Sequence, residues 1–302
     1  MKTNDNLVTR ATAKYPEFRK RLNQVHQLLI IKDLSETTFR NYTPQLSKVV
    51  IEFGCMPEEL SDEQLQGFLY RVSLNDRIQG WSTKKMLICA LRFYFRAIGM
   101  PARALILPKN KTGKRIPKVL SESQIKRVIL ASPELRHRIL LATLYGLGIR
   151  AGELLNICWN DINFDRKQIV IRKTKGGSQR ILPLGEALLK GLIALRKIAC
   201  SEFVFASPRT QSKPSFRSIK WVIDKAMSET GIDSKGISPH VFRHTYATHL
   251  LEMGLDIYSV KNLLGHVKIE TTLIYLHVAQ LHPKASFSPL DVILGERKRS
   301  TQ

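Results

Sequence analysis

Residues 101–118 read PARALILPKNKTGKRIPK, and this stretch constrains the fold more than any other. Its three prolines and one glycine interrupt regular structure. Lys109, Lys111, Lys114, Arg115 and Lys118 make the interruption basic. A chain of 302 residues can bury one large or two ordinary cores. Such a break inside it predicts two domains joined by a linker over 101–118. A linker of this charge suits the backbone of a polyanion passing between the domains.

Ahead of the linker, residues 1–17 are polar and read as a flexible N-terminus. From residue 18 the apolar positions recur at helical spacing. Leu22, Val25, Leu28 and Leu29 form one stripe, and Ser35 can cap a second helix carrying Phe39, Leu46, Val49, Val50 and Phe53. Ser61-Asp-Glu-Gln64 is a capping-box pattern before Leu65, Phe68 and Leu69. A fourth stripe holds Met86, Leu87, Leu91, Phe93, Tyr94 and Ile98. Residues 18–100 are therefore expected to form a bundle of about four helices. Lys84, Lys85, Arg92 and Arg96 lie on the last of these, as solvated helix faces or as phosphate contacts.

Beyond the linker, residues 119–282 form a second unit. Ser121-Glu-Ser-Gln124 is another capping box. The stretch HRILLATLYGLGIR is apolar enough to be a central helix, and Gly146 and Gly148 loosen its end just before Arg150. An arginine at the edge of a buried helix needs a partner, and Glu153 stands three residues on. Gln168–Arg172 and Gln179–Pro183 flank a Lys-Gly-Gly-Ser turn, which predicts a hairpin with Lys175 near its tip and Lys173 as the competing lysine. Residues 185–200 read as a helix, 203–205 as a short strand and 216–229 as a helix. The fold class expected is mainly α with a small β-hairpin in the C-terminal domain. Residues 283–302 carry Leu290, Val292, Ile293 and Leu294 and form a tail that can fold back or dock on a neighbouring subunit.

Composition narrows the function classes. The net charge is +23, from 48 basic and 25 acidic residues. A surface this basic seeks polyanions, nucleic acid first. Cys55, Cys89, Cys158 and Cys200 are far apart, with no CxxC pair to suggest a zinc ribbon. The apolar runs are too short to span a bilayer, and the N-terminus lacks a signal core. These features imply a reduced, cytoplasmic or nucleoid-associated protein with no membrane contact.

The chemistry concentrates in SPHVFRHTYATHLLEMGLDIYSVKNLLGHVKIETTLIY, residues 238–275. Pro239 suits a first helical turn, with Ser238 available as its cap. His240 and Arg243 then share a face near a positive helix end, a favourable place for phosphate. Asp256 opens and Gly265 closes a second helix, which delivers His266 to the turn. Tyr275 follows. Tyr246 and Tyr258 read as core residues. His249, His277 and His282 read as structural or surface residues. His240 and His244 are spaced for a helical metal pair, but the glutamate of an HExxH motif is absent and Arg243 repels a cation. Neither a metal nor another cofactor is expected.

The order His-x-x-Arg, Leu-Gly-His and Thr-Thr-x-x-Tyr resembles the signature of the tyrosine recombinase (phage integrase) family. Arg150, within Tyr-Gly-Leu-Gly-Ile-Arg-Ala-Gly-Glu-Leu, and Lys175, within Thr-Lys-Gly-Gly-Ser-Gln-Arg-Ile-Leu-Pro-Leu, match its first arginine and hairpin lysine. The resemblance implies a catalytic set of Arg150, Lys175, His240, Arg243, His266 and the nucleophile Tyr275. It also implies a two-domain clamp on double-stranded DNA at specific recombination sites. Four protomers would exchange strands through a Holliday junction. Xer-like, integron and mobile-element integrases all fit the length.

The chemistry is coherent in physical terms. Two guanidiniums can hold the non-bridging oxygens of a phosphodiester and the charge that develops there. Tyr275 would attack phosphorus, and the phosphotyrosine bond would conserve the energy for resealing without ATP. Lys175 suits protonation of the leaving 5′-oxygen. His240 would take the tyrosine proton or support the phosphate, and His266 would donate a hydrogen bond to it. Lys84, Lys85, Lys109, Lys111, Lys114 and Arg115 are the candidate DNA contacts. A type IB topoisomerase-like enzyme and a non-catalytic basic DNA-binding protein are the alternatives.

Overall fold

The computed structural model describes residues 2–79, 82–107, 117–172, 179–208, 210–276 and 278–279. The chain separates into two compact units, Met1–Gly113 and Lys114–Gln302, and the division falls within the basic stretch.

The described part of the first unit is helical. Its elements are α1 (Lys2–Lys14), α2 (Pro16–Ile31), α3 (Glu36–Phe53), α4 (Asp62–Gln79), α5 (Ser82–Ala97) and α6 (Pro101–Ile106). Leu87, Ile88, Leu91, Tyr94 and Phe95 of α5 are buried against Leu22, Val25 and Leu29 of α2 and Leu46, Val49 and Val50 of α3. Burying each such side chain stabilises the unit by about 1.5–3 kcal/mol. Ser35 caps α3 by accepting from the Thr38 amide, and the Ser61–Gln64 capping box is formed in both directions.

Two boundaries differ from the sequence expectation. The polar N-terminus is a helix whose Val8 and Ala11 pack on the core, joined by Tyr15 just past its end, at three- and four-residue steps. This stripe is narrow and ends in a tyrosine, so its weak periodicity passes for a disordered segment. The start of the linker is also structured. Ala104 and Leu107 are buried in the first core, and Arg103 donates to the Glu58 carbonyl at 2.6 Å. Arg92 holds the Leu107 carbonyl at 2.8 Å. A proline at the first helical position starts α6 rather than breaking it. Lys109, Lys111, Lys114 and Arg115 lie outside the described residues.

The second unit contains α7 (Glu122–Ala131), α8 (Leu135–Gly146) and α9 (Ala151–Leu154). A sheet of β1 (Ile162–Asn163), β2 (Gln168–Ile171) and β3 (Arg180–Pro183) follows. Then come α10 (Glu186–Arg196), α11 (Phe216–Glu229), α12 (Pro239–Glu252), α13 (Ile257–Leu264) and α14 (Glu270–Leu273). Apolar on most sides, α8 buries Ile139, Leu140, Leu141 and Leu144 and packs on α7, α10 and α12. The strands are antiparallel, and Ile169 pairs with Leu182 and Ile171 with Arg180. Ile169, Ile171 and Leu182 face the core, while Ile181 faces out. β1 is too short to show as a pattern. Residues 203–205 are not a strand; Phe203 makes an isolated bridge to Cys158. Lys173, Lys175 and residues 280–302, with the expected docking tail, lie outside the described residues. All four cysteines are free thiols. Among the described residues no helix is long and apolar enough to cross a membrane.

Candidate active site

The site is assembled from the end of α8, the start of α9, β3, the first turn of α12 and the segment after α13. It begins with a glycine. Gly148 has φ +56°, and a Cβ there would lie 2.2 Å from the Tyr246 ring. Both the conformation and the close approach demand glycine. The Gly148 carbonyl is thereby aimed at Arg243, which donates to it at 2.7 Å and to the Leu264 carbonyl at 2.6 Å. Arg243 is 2% exposed. Burial and the nearby charge of Arg150 push its pKa down to about 10, so it stays cationic at neutral pH.

Arg150 is the N-cap of α9. Its amide donates to Glu153 Oε2 at 2.9 Å and its guanidinium to Oε1 at 3.1 Å, forming the ion pair expected from their spacing. Glu153 is buried and also takes a fork from Arg180, at 3.1 and 2.9 Å. Burial alone would raise the Glu153 carboxyl, but hydrogen bonds and charge from Arg180 and Arg150 outweigh it and hold the group below its usual range. Arg180 also donates from Nε to the Leu263 carbonyl at 2.8 Å. It ties the hairpin to the end of α13. Gly265 then turns the chain at φ +66°, and a Cβ there would meet the Arg180 guanidinium at 3.0 Å. The Leu-Gly-His pattern has its physical reason in this contact.

His266 follows, buried, with Nδ1 paired to the Thr272 hydroxyl of α14 at 2.9 Å. Burial and the charges of Arg243, Arg150 and Arg180 bring its pKa down to about 3. The ring is neutral, and when Nδ1 accepts from Thr272 the other nitrogen carries the proton and can donate. Tyr275 stacks on it with centroids 6.3 Å apart and planes 15° apart. Tyr275 is 2% exposed, and its hydroxyl meets His244 Nδ1 at 3.1 Å. Burial raises the phenol pKa, and Arg243 and Arg150 partly oppose the rise.

His240 stands exposed in the first turn of α12, with its ring 6.4 Å from that of His244. Partial desolvation, Arg243 and Arg150 lower its pKa. The turn begins with Pro239 as expected, but Ser238 makes no side-chain cap. Asp256 does cap α13, accepting from the Tyr258 and Ser259 amides. Tyr246 packs on Gly148 as a core residue, whereas Tyr258 is 68% exposed, because its position in the first turn of α13 points outward. His249 is buried and pairs with the Tyr145 hydroxyl at 2.9 Å. His277 and His282 lie outside the described residues. Lys84 is half-buried and Lys85 exposed, both on α5 of the first unit.

The structure thus brings Arg150, Arg243, His240, His266 and Tyr275 together, and adds Glu153, Arg180 and His244. His244 was legible only as a spacing partner of His240, and Arg180 only as a strand residue. Three guanidiniums against one carboxylate leave a surplus of two positive charges (3 − 1) around a tyrosine hydroxyl. Such a site suits an anion with several oxygens and a nucleophile beside it. Among the described residues no group of three His, Cys, Asp or Glu side chains converges as a metal site.

Comparison with known proteins points to one family. The model of the phage integrase family matches residues 118–282. Tyrosine recombinase XerA of Pyrococcus horikoshii is 31% identical over 284 residues, covering 91% of this chain and 95% of the relative. Tyrosine recombinase XerD of Vibrio cholerae is 33% identical over 278 residues, covering 83% and 90%. A crystal structure of XerA recombinase aligns with a TM-score of 0.51 at 24% identity, over 93% of this chain and 99% of the other. A lambda integrase dimer bound to a COC′ core site aligns at 0.68 and 20% identity, over 85% and 76%. The chain belongs to the phage integrase family and is a tyrosine recombinase.

Proposed function

We propose that this protein cuts and rejoins double-stranded DNA at specific recombination sites through a phosphotyrosine bond on Tyr275. The observation that carries the reading is the Tyr275 hydroxyl beside the buried Arg243, the hydrogen-bonded Arg150 and neutral histidines. Arg150 and Arg243 bind the non-bridging oxygens of the scissile phosphate and the charge that grows on them. Each is already pinned, Arg150 by Glu153 and Arg243 by two carbonyls, so the reaction demands little reorganisation of them. His266 donates to the same phosphoryl group. His240, at the exposed mouth of the site and the positive end of α12, supports the phosphate. Lys175, which lies between β2 and β3 in the sequence, protonates the leaving 5′-oxygen. No step is routed through a metal or ATP.

In this reading the two units close on the duplex as a clamp. Lys84 and Lys85 of the first unit, and Lys109, Lys111, Lys114 and Arg115 of the basic stretch, contact its phosphates. Four protomers synapse two sites and exchange strands through a Holliday junction, with residues 283–302 docking on a neighbour. The protein works in the cytoplasm, on the nucleoid. The named relatives, XerA and XerD recombinases, support recombination over simple relaxation of supercoils.

The test is covalent capture from genomic DNA. The protein is incubated with fragmented DNA of its source cell and denatured, and the attached DNA is sequenced beside a Tyr275→Phe control. Adducts at a defined site, absent in the control, are expected. Adducts scattered without sequence preference would favour a topoisomerase, and none at all would refute the proposal.

A further inference from the structure

We infer that Thr272 is a positioning residue whose hydroxyl fixes His266 in the tautomer with its proton on Nε2, acting from the same segment that carries Tyr275. The inference rests on the reading of Tyr275 as nucleophile and His266 as a donor to the phosphoryl group, and goes beyond it by naming what makes the ring a donor. His266 Nδ1 and the Thr272 hydroxyl are 2.9 Å apart, and both side chains are buried. Two arrangements satisfy that distance. The hydroxyl can donate to a bare Nδ1, or a protonated Nδ1 can donate to the hydroxyl. They are not equivalent, because a buried hydroxyl brings a hydrogen that needs an acceptor. Among the described residues the Thr272 hydroxyl meets no acceptor besides Nδ1. Donation to Nδ1 satisfies that hydrogen, and the reverse strands it away from solvent.

A neutral imidazole carries one N–H, so an accepting Nδ1 leaves the proton on Nε2. Burial and the charges of Arg243, Arg150 and Arg180 keep the ring from taking a second proton. An Nε2–H attracts an anionic phosphoryl oxygen, whereas the other tautomer presents a lone pair there and repels it. The same residue also holds the nucleophile, since the Thr272 carbonyl accepts from the Tyr275 amide at 3.0 Å. α14 is only four residues long, and Tyr275 is buried with Ala247, Leu251, Val260 and Leu264 in a small cluster apart from the main core of the second unit. A segment held by so few contacts opens more readily than the core. While it is docked, Tyr275 stacks on a His266 that can donate. When it lifts, the hydroxyl that sets the tautomer leaves with the nucleophile. Donor and nucleophile are therefore made ready together.

Thr272→Val tests the inference, because it keeps the shape of the side chain and removes the hydroxyl; Thr272→Ser keeps the hydroxyl. The first readout needs no DNA. Nitrogen resonances of the full chain, with that of His266 identified by its loss in His266→Ala, should show a protonated Nε2 and a bare Nδ1 in wild type and Thr272→Ser. In Thr272→Val they should show a mixture of the two tautomers. A wild-type ring protonated on Nδ1, or a Val variant with the wild-type pattern, would overturn the inference.

The second readout is single-turnover adduct formation on the DNA site recovered by covalent capture. Thr272→Val should lower the rate by about 10²-fold, the lower end of the cost of a lost oxyanion donor, while Thr272→Ser stays within about threefold of wild type. DNA affinity by fluorescence anisotropy should be unchanged in both. In a His266→Ala background Thr272→Val should change the rate by less than about twofold, whereas a merely structural role would lower it again. A Val variant within about threefold of wild type, a Ser variant as slow as Val, or additive losses in the double variant would overturn the inference. A wild-type protein that forms no adduct overturns the reading of Tyr275 instead, and the resonances then decide the tautomer alone.

Discussion

Replacing Arg180 by alanine should destabilise the second unit more than any contact with DNA would suggest. The Arg180 side chain is 8% exposed and the carboxylate it holds, on Glu153, 1%. Removing one partner of a buried ion pair costs about 3–5 kcal/mol, because the other charge stays buried and under-compensated. Losing the Nε donor to the Leu263 carbonyl adds about 1 kcal/mol, and the remaining Arg150 offsets a similar amount. A net loss of about 3–5 kcal/mol lowers the unfolding midpoint of a unit this size by roughly 6–20 °C.

The pH dependence carries the mechanism. The folded Glu153 carboxyl lies below its ordinary 4.5, so its stabilising contribution is present above that value and lost as pH falls through the folded pKa. In the variant, burial acts with less opposition and keeps the carboxyl protonated to higher pH. The gap between the two proteins should therefore narrow as pH falls from 7 toward 4. Urea unfolding at both pH values, followed by circular dichroism of the second unit's transition, measures it. A gap under about 1 kcal/mol at pH 7, or one that does not narrow, would refute the reasoning.

Other consequences are sharper in direction than in size. Gly148→Ala forces φ +56° on a Cβ that meets the Tyr246 ring, and should cost at least about 2 kcal/mol in thermal unfolding; adding Tyr246→Ala should restore only part of it. His266, neutral in the fold with a pKa near 3, contributes nothing to pH dependence above about 6.5. Below that the unfolded chain binds a proton the fold refuses, so stability falls by about 1.4 kcal/mol per pH unit, and His266→Gln should flatten that slope in calorimetric scans. DNA affinity measured by fluorescence anisotropy should fall with salt on a log–log slope of roughly −0.9 per phosphate neutralised, and Lys84→Ala with Lys85→Ala should make it shallower.

Local chemistry explains which features the sequence exposes. Ser35, Ser61, Ser121 and Asp256 act through neighbours three residues away, so their caps can be read from the chain alone. The face shared by His240 and Arg243 follows from helical spacing in the same way. Arg180 is different, since its partners Glu153 and Leu263 lie 27 and 83 residues away. Nothing in a strand pattern announces an arginine whose role is to hold two other segments. His244 gains its meaning from Tyr275, 31 residues on, once the turn at Gly265 folds the chain back. The helix at the N-terminus escapes for the opposite reason, because among its described side chains Val8 and Ala11, with Tyr15 just past its end, pack on the core, and tertiary contact supplies what a weak stripe does not.

The central claim is that Tyr275 bonds covalently to DNA, and mapping that bond tests it most directly. The trapped adduct is digested with protease and nuclease, and the modified peptide is sequenced by mass spectrometry. A nucleotide joined through its 3′-phosphate to Tyr275, with a free 5′-hydroxyl on the released strand, is the expected result. A bond on another residue, or a 5′-phosphate attachment, would contradict the account.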